Sequence, residues 1–124
     1  MLRWTSLLFA TVVLHAYDAR CVWYHHAFLL LTLTSVLFHC THAPWVRIVD
    51  KSVAHATFFM VVVGDWDRAQ SNGQQWLLAF PMLVACLWGA QSFCASVQLK
   101  TRMHAWLHVV SVVGLHAFLD RLYR

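Results

Sequence analysis

The sequence predicts an all-α protein, a polytopic membrane helix bundle with about five transmembrane helices. Hydrophobic residues make up 60% of the 124 residues, and only 11% are charged. A soluble domain of this size needs a far more charged surface. The apolar residues also fall in long blocks instead of alternating with polar ones. Residues 1–124 are therefore predicted to form a single transmembrane helical domain.

Five apolar segments are separated by short polar breaks. The breaks read "YDAR", "THAPWVR", "GDWDRAQSNGQQ" and "QLKTR". Tryptophans lie near most of the segment ends, as in the aromatic belts of membrane proteins. The predicted spans are Arg3–Tyr17, Val22–Cys40, Val49–Val63, Trp76–Val97 and Met103–Leu119.

The first and fourth segments each have a further feature. The first has Arg3 before an apolar core, which also resembles a cleaved signal sequence. Its cleavage site is poor, so we interpret it as the first span. The fourth contains Pro81 and Gly89, which predict a kink.

Charge and cysteine content argue against other classes of protein. Nine Lys and Arg residues against five acids give a net charge of +4. The cations stand singly at span ends without a basic stripe, so no nucleic-acid partner is expected. The four cysteines form no C-x-x-C pair and are predicted to pack as small apolar residues.

Five spans place the N-terminus and the second and fourth breaks on one face of the membrane, called side A. The other breaks lie on side B. Side A carries Arg3, Arg47, Lys51, Lys100 and Arg102, and side B carries Arg20, Arg68, Arg121 and Arg124. This small excess favours side A as the cytoplasmic or matrix face, in an endomembrane or the mitochondrial inner membrane. Asp65 and Asp67 on side B are predicted to be solvated.

Polar residues on side A form a candidate site. Ser35 and His39 are four residues apart and so share a face of the second span. His104 and His108 have the same spacing on the fifth span, and Asp50 opens the third, eleven residues after His39. Because the span ends concerned all lie on side A, topology alone brings these residues to the same membrane depth.

The composition of this set is typical of a catalytic zinc site. Three neutral imidazoles and a water form a common zinc shell, and a nearby carboxylate can orient or deprotonate the water. In a chain with nine histidines each four-residue spacing can arise by chance. Their combination with Asp50 on one side, and the cost of ionisable groups in a membrane, favour a metal site.

These residues resemble the CREST superfamily, which includes alkaline ceramidases, adiponectin-type receptors, haemolysin III-like proteins and the lipid-remodelling hydrolases of GPI anchors. The similarity is carried by "SVLFHCTHAPWVRIVD" and "HAWLHVVSVVG". It implies that His39, His104 and His108 hold zinc. It also implies that Asp50 acts on the zinc-bound water, and that Ser35 supports this water or the developing oxyanion.

The chain departs from this family in ways that keep other functions open. The family usually has seven spans, whereas this chain has room for five, and Lys51 follows Asp50 where the ceramidases have an acid. One alternative is a small noncatalytic accessory subunit of a larger membrane complex. Another is a haem-binding electron carrier that uses side-B histidines such as His15 and His116. The expected partners are membrane lipid and other membrane subunits.

Overall fold

The computed structural model describes residues 2–123, which form helices and connecting turns with no strand in that range. Arg124, counted above among the side-B cations, lies outside the described residues. A 3₁₀ turn, Gln75–Leu78, leads directly into α6. The helices are α1 (Leu2–Leu7), α2 (Phe9–Asp18), α3 (Val22–Thr41), α4 (Pro44–Gly64), α5 (Trp66–Ser71), α6 (Ala79–Ser92) and α7 (Val97–Tyr123). The predicted all-α class is therefore confirmed.

Six of the described helices coincide with the five predicted segments but have different ends, and α5 lies in the break "GDWDRAQSNGQQ". The first segment is divided at Leu8 into α1 and α2. α4 begins at Pro44, five residues before the predicted span, because proline at the first helical position loses no backbone hydrogen bond. The break "QLKTR" lies inside the first turns of α7, since these polar residues are compatible with an exposed helix.

Membrane-spanning capacity is clearest for the last helix. Among the described helices, α7 alone is long and apolar enough to cross a membrane by length and composition. α3 and α4 have 20 and 21 residues, or about 30 Å of helix each. The five predicted crossings remain a prediction.

α3 and α7 form the centre of the bundle. α2 and α4 both pack on α3, α6 packs on α7, and α1 contacts α3 and α7 together. The side chains of Phe28, Leu115, Phe118 and Leu119 are fully buried where these helices meet. Burial of this apolar surface holds the bundle together.

A tight turn fixes the relation of α3 to α4. His42 ends α3 in the left-handed conformation, with φ of 53°, and Ala43 is extended before Pro44 starts α4. The residue before a proline prefers this extended conformation. The turn reverses the chain within two residues and so places the end of α3 beside the beginning of α4.

α6 lies unusually close to α7. The ring of Phe80 occupies the space that a Cβ atom at Gly114 would need. Pro81 lies in the first turn of α6, where its missing N–H would have no partner within α6, and the predicted kink there stays a prediction.

Candidate metal centre

Three histidines from two helices meet at one end of the bundle. His39 lies in the last turns of α3, and His104 and His108 lie one turn apart on α7. Each residue has one ring nitrogen that lies within 4.8 Å of a ring nitrogen of each of the other two. The ring centroids are 4.7 Å apart for His104 and His108, and 5.3 and 5.5 Å from His39 to these two. This histidine cluster could bind a metal ion.

The histidine cluster contains unpartnered polar atoms. The Nε2 atoms of His39 and His104 are buried and have no hydrogen-bond partner. His39 and His108 are only 4% and 5% exposed. A buried polar atom without a partner costs about 1–3 kcal/mol. One cation held between the rings would satisfy both nitrogens.

Neighbouring side chains fix the orientation of two of the rings. Nδ1 of His108 lies 3.0 Å from Oγ1 of Thr5, and the Nδ1–H of His104 donates to Oε1 of Gln91 at 3.3 Å. Such contacts leave Nε2 of each ring as the metal-binding nitrogen and set its direction. Sequence reasoning missed Thr5 and Gln91. The sequence feature that could have indicated them is that each is a polar side chain inside an otherwise apolar segment.

The histidine cluster opens into a cleft of about 400 Å³. The cleft lies between α4 and α6, with α3 and α7 beneath it. Apolar side chains line most of it, which suits a hydrocarbon chain. They include Leu31, Phe38, Ala54, Phe58, Val84, Trp88 and Leu107.

The two predicted catalytic residues line the same cleft as the histidine cluster. Asp50 accepts a hydrogen bond from the hydroxyl of Thr34 at 3.2 Å and does not belong to the group of close ligand atoms. Ser35 is 3% exposed, and its hydroxyl lies 3.0 Å from that of Ser6. All five residues predicted from the sequence thus face one cavity.

Two other histidines near this end do not join the histidine cluster. His42 is exposed in the turn between α3 and α4. The Nδ1–H of His55 donates to the backbone carbonyl of Lys51 at 2.6 Å. Its ring packs edge-on against Trp88 at 5.3 Å, so His55 forms part of the outer wall of the cleft.

The opposite end of the bundle corrects one prediction. Asp65 is not solvated: it is 5% exposed and accepts hydrogen bonds from the hydroxyls of Tyr24 and Tyr123. Arg68 completes this aspartate cluster with an ion pair at 3.3 Å. The turn sequence contained no signal for this burial, because both tyrosines come from distant helices. Asp67 is exposed, as predicted.

A histidine pair on α2 and α7 bears on the haem alternative. The Nδ1 atoms of His15 and His116 lie 2.7 Å apart, and the rings are stacked with centroids 5.0 Å apart. Nε2 of His116 also lies 2.9 Å from the hydroxyl of Thr11. The two imidazoles bond to each other in this arrangement, and a haem would have to separate them.

Comparisons with known proteins give no match, whether against protein-family models, curated proteins or solved structures. The resemblance to the CREST superfamily therefore rests on the polar residues of the sequence and their spacing. The function is therefore inferred from the histidine cluster and its cleft.

Proposed function

We propose that this chain is a five-span membrane protein that binds zinc at the histidine cluster and hydrolyses an amide or ester bond of a lipid. Its role would resemble that of CREST hydrolases. The observation that carries the proposal is the pair of buried, unpartnered Nε2 atoms in a three-imidazole cluster that opens into an apolar cleft.

The donor set favours zinc. Three imidazoles with one open position are a common catalytic zinc shell, whereas magnesium and calcium require oxygen ligands. None of the four cysteines belongs to the histidine cluster, so no thiolate competes for the ion. The hydrogen bonds that His108 and His104 make to Thr5 and Gln91 are of the kind that orient zinc-bound histidines.

The reaction would be addition of water to the lipid carbonyl. When bound, zinc supplies a Lewis acid and lowers the pKa of a coordinated water to about 7. Asp50 accepts the proton as the water oxygen bonds to the carbonyl carbon. The bond from that carbon to the ester oxygen or amide nitrogen then breaks, and the leaving atom takes the proton. Ser35, whose hydroxyl lies 3.0 Å from that of Ser6, would turn its hydrogen from Ser6 toward the carbonyl oxygen and donate a hydrogen bond there.

The outward surface supports insertion in a bilayer. α3 exposes Leu30 and Leu33 at 51% and 59%, and α4 exposes Ile48 and Phe59 at 67% and 68%. In water such faces would drive aggregation, whereas in a bilayer they contact acyl chains. Helices of about 30 Å also match the thickness of the hydrocarbon core. An endomembrane or the mitochondrial inner membrane would provide this setting.

Metal analysis of the purified chain in detergent, together with its absorption spectrum, tests the proposal. We expect one zinc per chain, with at least tenfold weaker binding after His104→Ala or His108→Ala. His42→Ala is the matched control, because it removes a histidine from the same end outside the histidine cluster. A haem absorption band, or a chain that binds no metal, would contradict the zinc site.

A noncatalytic accessory subunit is the second candidate. Phe93, which follows α6, and Val97, which begins α7, are 90% and 80% exposed. Exposed apolar groups at a helix end, beyond the acyl region, suit contact with another membrane subunit. Comigration of the chain with a larger complex, without bound zinc, would favour this role.

A further inference from the structure

Cations surround the mouth of the cleft. Arg47 and Lys51 lie four residues apart on α4 and therefore share a face. Lys100 lies in the first turns of α7, on the other side of the cleft. All three side chains are exposed and line the cleft together with the histidine cluster. We call these three residues the basic rim.

A further cation lies close by. The Nε–H of Arg3 donates to the backbone carbonyl of His39 at 3.2 Å. Arg3, His39 and Thr101 also line a smaller adjoining cavity of about 220 Å³. His39 and Thr101 line the main cleft too, so the two cavities meet at the histidine cluster. Positive charge thus surrounds this end of the cleft on three helices.

The acids of the chain do not balance this charge. Asp50 is the one acid that lines the cleft, and its Oδ1 already accepts a hydrogen bond from Thr34. The other four aspartates lie near the opposite helix ends, in residues 18, 65, 67 and 120. The cleft therefore has three lining cations for one lining acid.

Lys51 is positioned across the opening. Its ammonium lies 5.7 Å from the ring centroid of Trp88, which joins α4 to α6 at the mouth of the cleft. A cation–π contact holds the side chain there without neutralising its charge. The ammonium therefore stays available to an anion that enters beside the apolar walls.

From this arrangement we propose that the lipid bound in the cleft carries an anionic phosphate headgroup, which the basic rim binds. Its acyl chain would lie along the apolar walls, and its carbonyl would lie between the two, at the histidine cluster. Lysine and arginine are the usual partners of phosphate oxygens. This proposal rests on the proposed function as a lipid hydrolase. It implies that the bound lipids are acidic phospholipids and not neutral lipids such as ceramides.

The test is equilibrium binding of short-chain lipids to the full chain in neutral detergent. Phosphatidate is compared with diacylglycerol of the same acyl chains, and inorganic phosphate is used as the competitor. We expect phosphatidate to bind at least tenfold more tightly than diacylglycerol. Lys51→Ala and Lys100→Ala should each weaken phosphatidate binding about fivefold, with little change for diacylglycerol.

Control variants separate charge from folding. Arg121→Ala removes an exposed cation at the opposite end of α7 and should leave phosphatidate binding unchanged. Lys100→Arg keeps the charge and should retain the preference for phosphatidate. Equal binding of the two lipids would overturn the proposal. Competition by inorganic phosphate as strong as that by phosphatidate would overturn the lipid assignment and indicate a site for free phosphate.

The lipid-binding measurement does not depend on catalysis. Binding is measured without turnover, and repeating it in His108→Ala shows whether the basic rim acts without metal. If the unsubstituted chain binds no zinc but still prefers phosphatidate, the result contradicts the hydrolase and supports the rim. If the chain binds one zinc but does not distinguish phosphatidate from diacylglycerol, the result contradicts the role of the basic rim and leaves the zinc site supported.

Discussion

The two ends of the bundle contain polar clusters that differ in how their atoms are paired. In the aspartate cluster, both carboxylate oxygens of Asp65 accept hydrogen bonds from Tyr123 at 2.7 Å, and Arg68 adds an ion pair. In the histidine cluster, two Nε2 atoms are buried without any partner. Both clusters join α3 to α7, yet only the first is complete within the protein.

The difference separates a structural role from a binding role. A buried polar group whose partners are all supplied by the chain stabilises the fold and needs no ligand. Buried nitrogens that face one another without partners destabilise the free protein, and a ligand that satisfies them compensates. Substitutions at the two ends should therefore have opposite effects on stability.

The largest effect is expected for catalysis. Asp50→Asn keeps the shape of the side chain and removes its ability to accept a proton. Lipid hydrolysis should fall by about 10²–10⁴-fold, the usual contribution of a general base. Turnover of acyl lipids by zinc-loaded protein measures this. Zinc content should stay unchanged, because Asp50 lies outside the group of ligand atoms. Unchanged turnover would remove Asp50 from the mechanism.

Asp65→Ala should produce the largest loss of stability. It leaves the hydroxyls of Tyr24 and Tyr123 without their buried acceptor and removes the ion-pair partner of the half-exposed Arg68. We expect the free energy of unfolding to fall by about 3 kcal/mol. Chemical unfolding in detergent measures this value. Asp67→Ala is the control, because Asp67 is exposed in the first turn of α5 and its loss should have little effect.

A smaller effect on metal binding is expected from Gln91→Leu. The substitution removes the acceptor for the Nδ1–H of His104 while keeping a side chain of similar size on α6. Zinc affinity should fall by about 10–100-fold, as it does when partners of metal-binding histidines are removed. A competition titration with a zinc chelator measures this. Affinity equal to that of the unsubstituted chain would show that Gln91 does not orient the ring.

The smallest effect, and the sharpest contrast with Asp65, is expected for His39→Leu. The variant replaces an unpartnered imidazole with an apolar side chain. Without zinc, the free energy of unfolding should rise by about 1 kcal/mol. Added zinc should raise the Tm of the unsubstituted chain and leave that of the variant unchanged. A variant less stable without zinc than the unsubstituted chain would contradict the comparison.

Part of this arrangement could be predicted from the sequence. The shared face of His104 and His108 follows from the period of a single helix, and counting helices places this pair at the same end of the bundle as His39. The burial of Asp65 and the contact of Gln91 with His104 could not be predicted, because they depend on how two helices are rotated against each other. The start of α4 at Pro44 was not predicted, because Pro44 and Arg47 interrupt the apolar pattern of the sequence there although these residues are helical.

The close approach of Phe80 to Gly114 has a consequence for the cleft. α6 supplies Gln91 and one wall of the cleft. It packs on α7 at Gly114, whose side chain is a single hydrogen atom. A methyl group there would force Phe80 away from α7, and the ring of Phe80 also faces Phe58 of α4, with centroids 6.1 Å apart. Gly114 therefore fixes how closely α6 approaches α7, and we expect the width of the cleft, and with it the thickness of the acyl chain that can enter, to depend on this glycine.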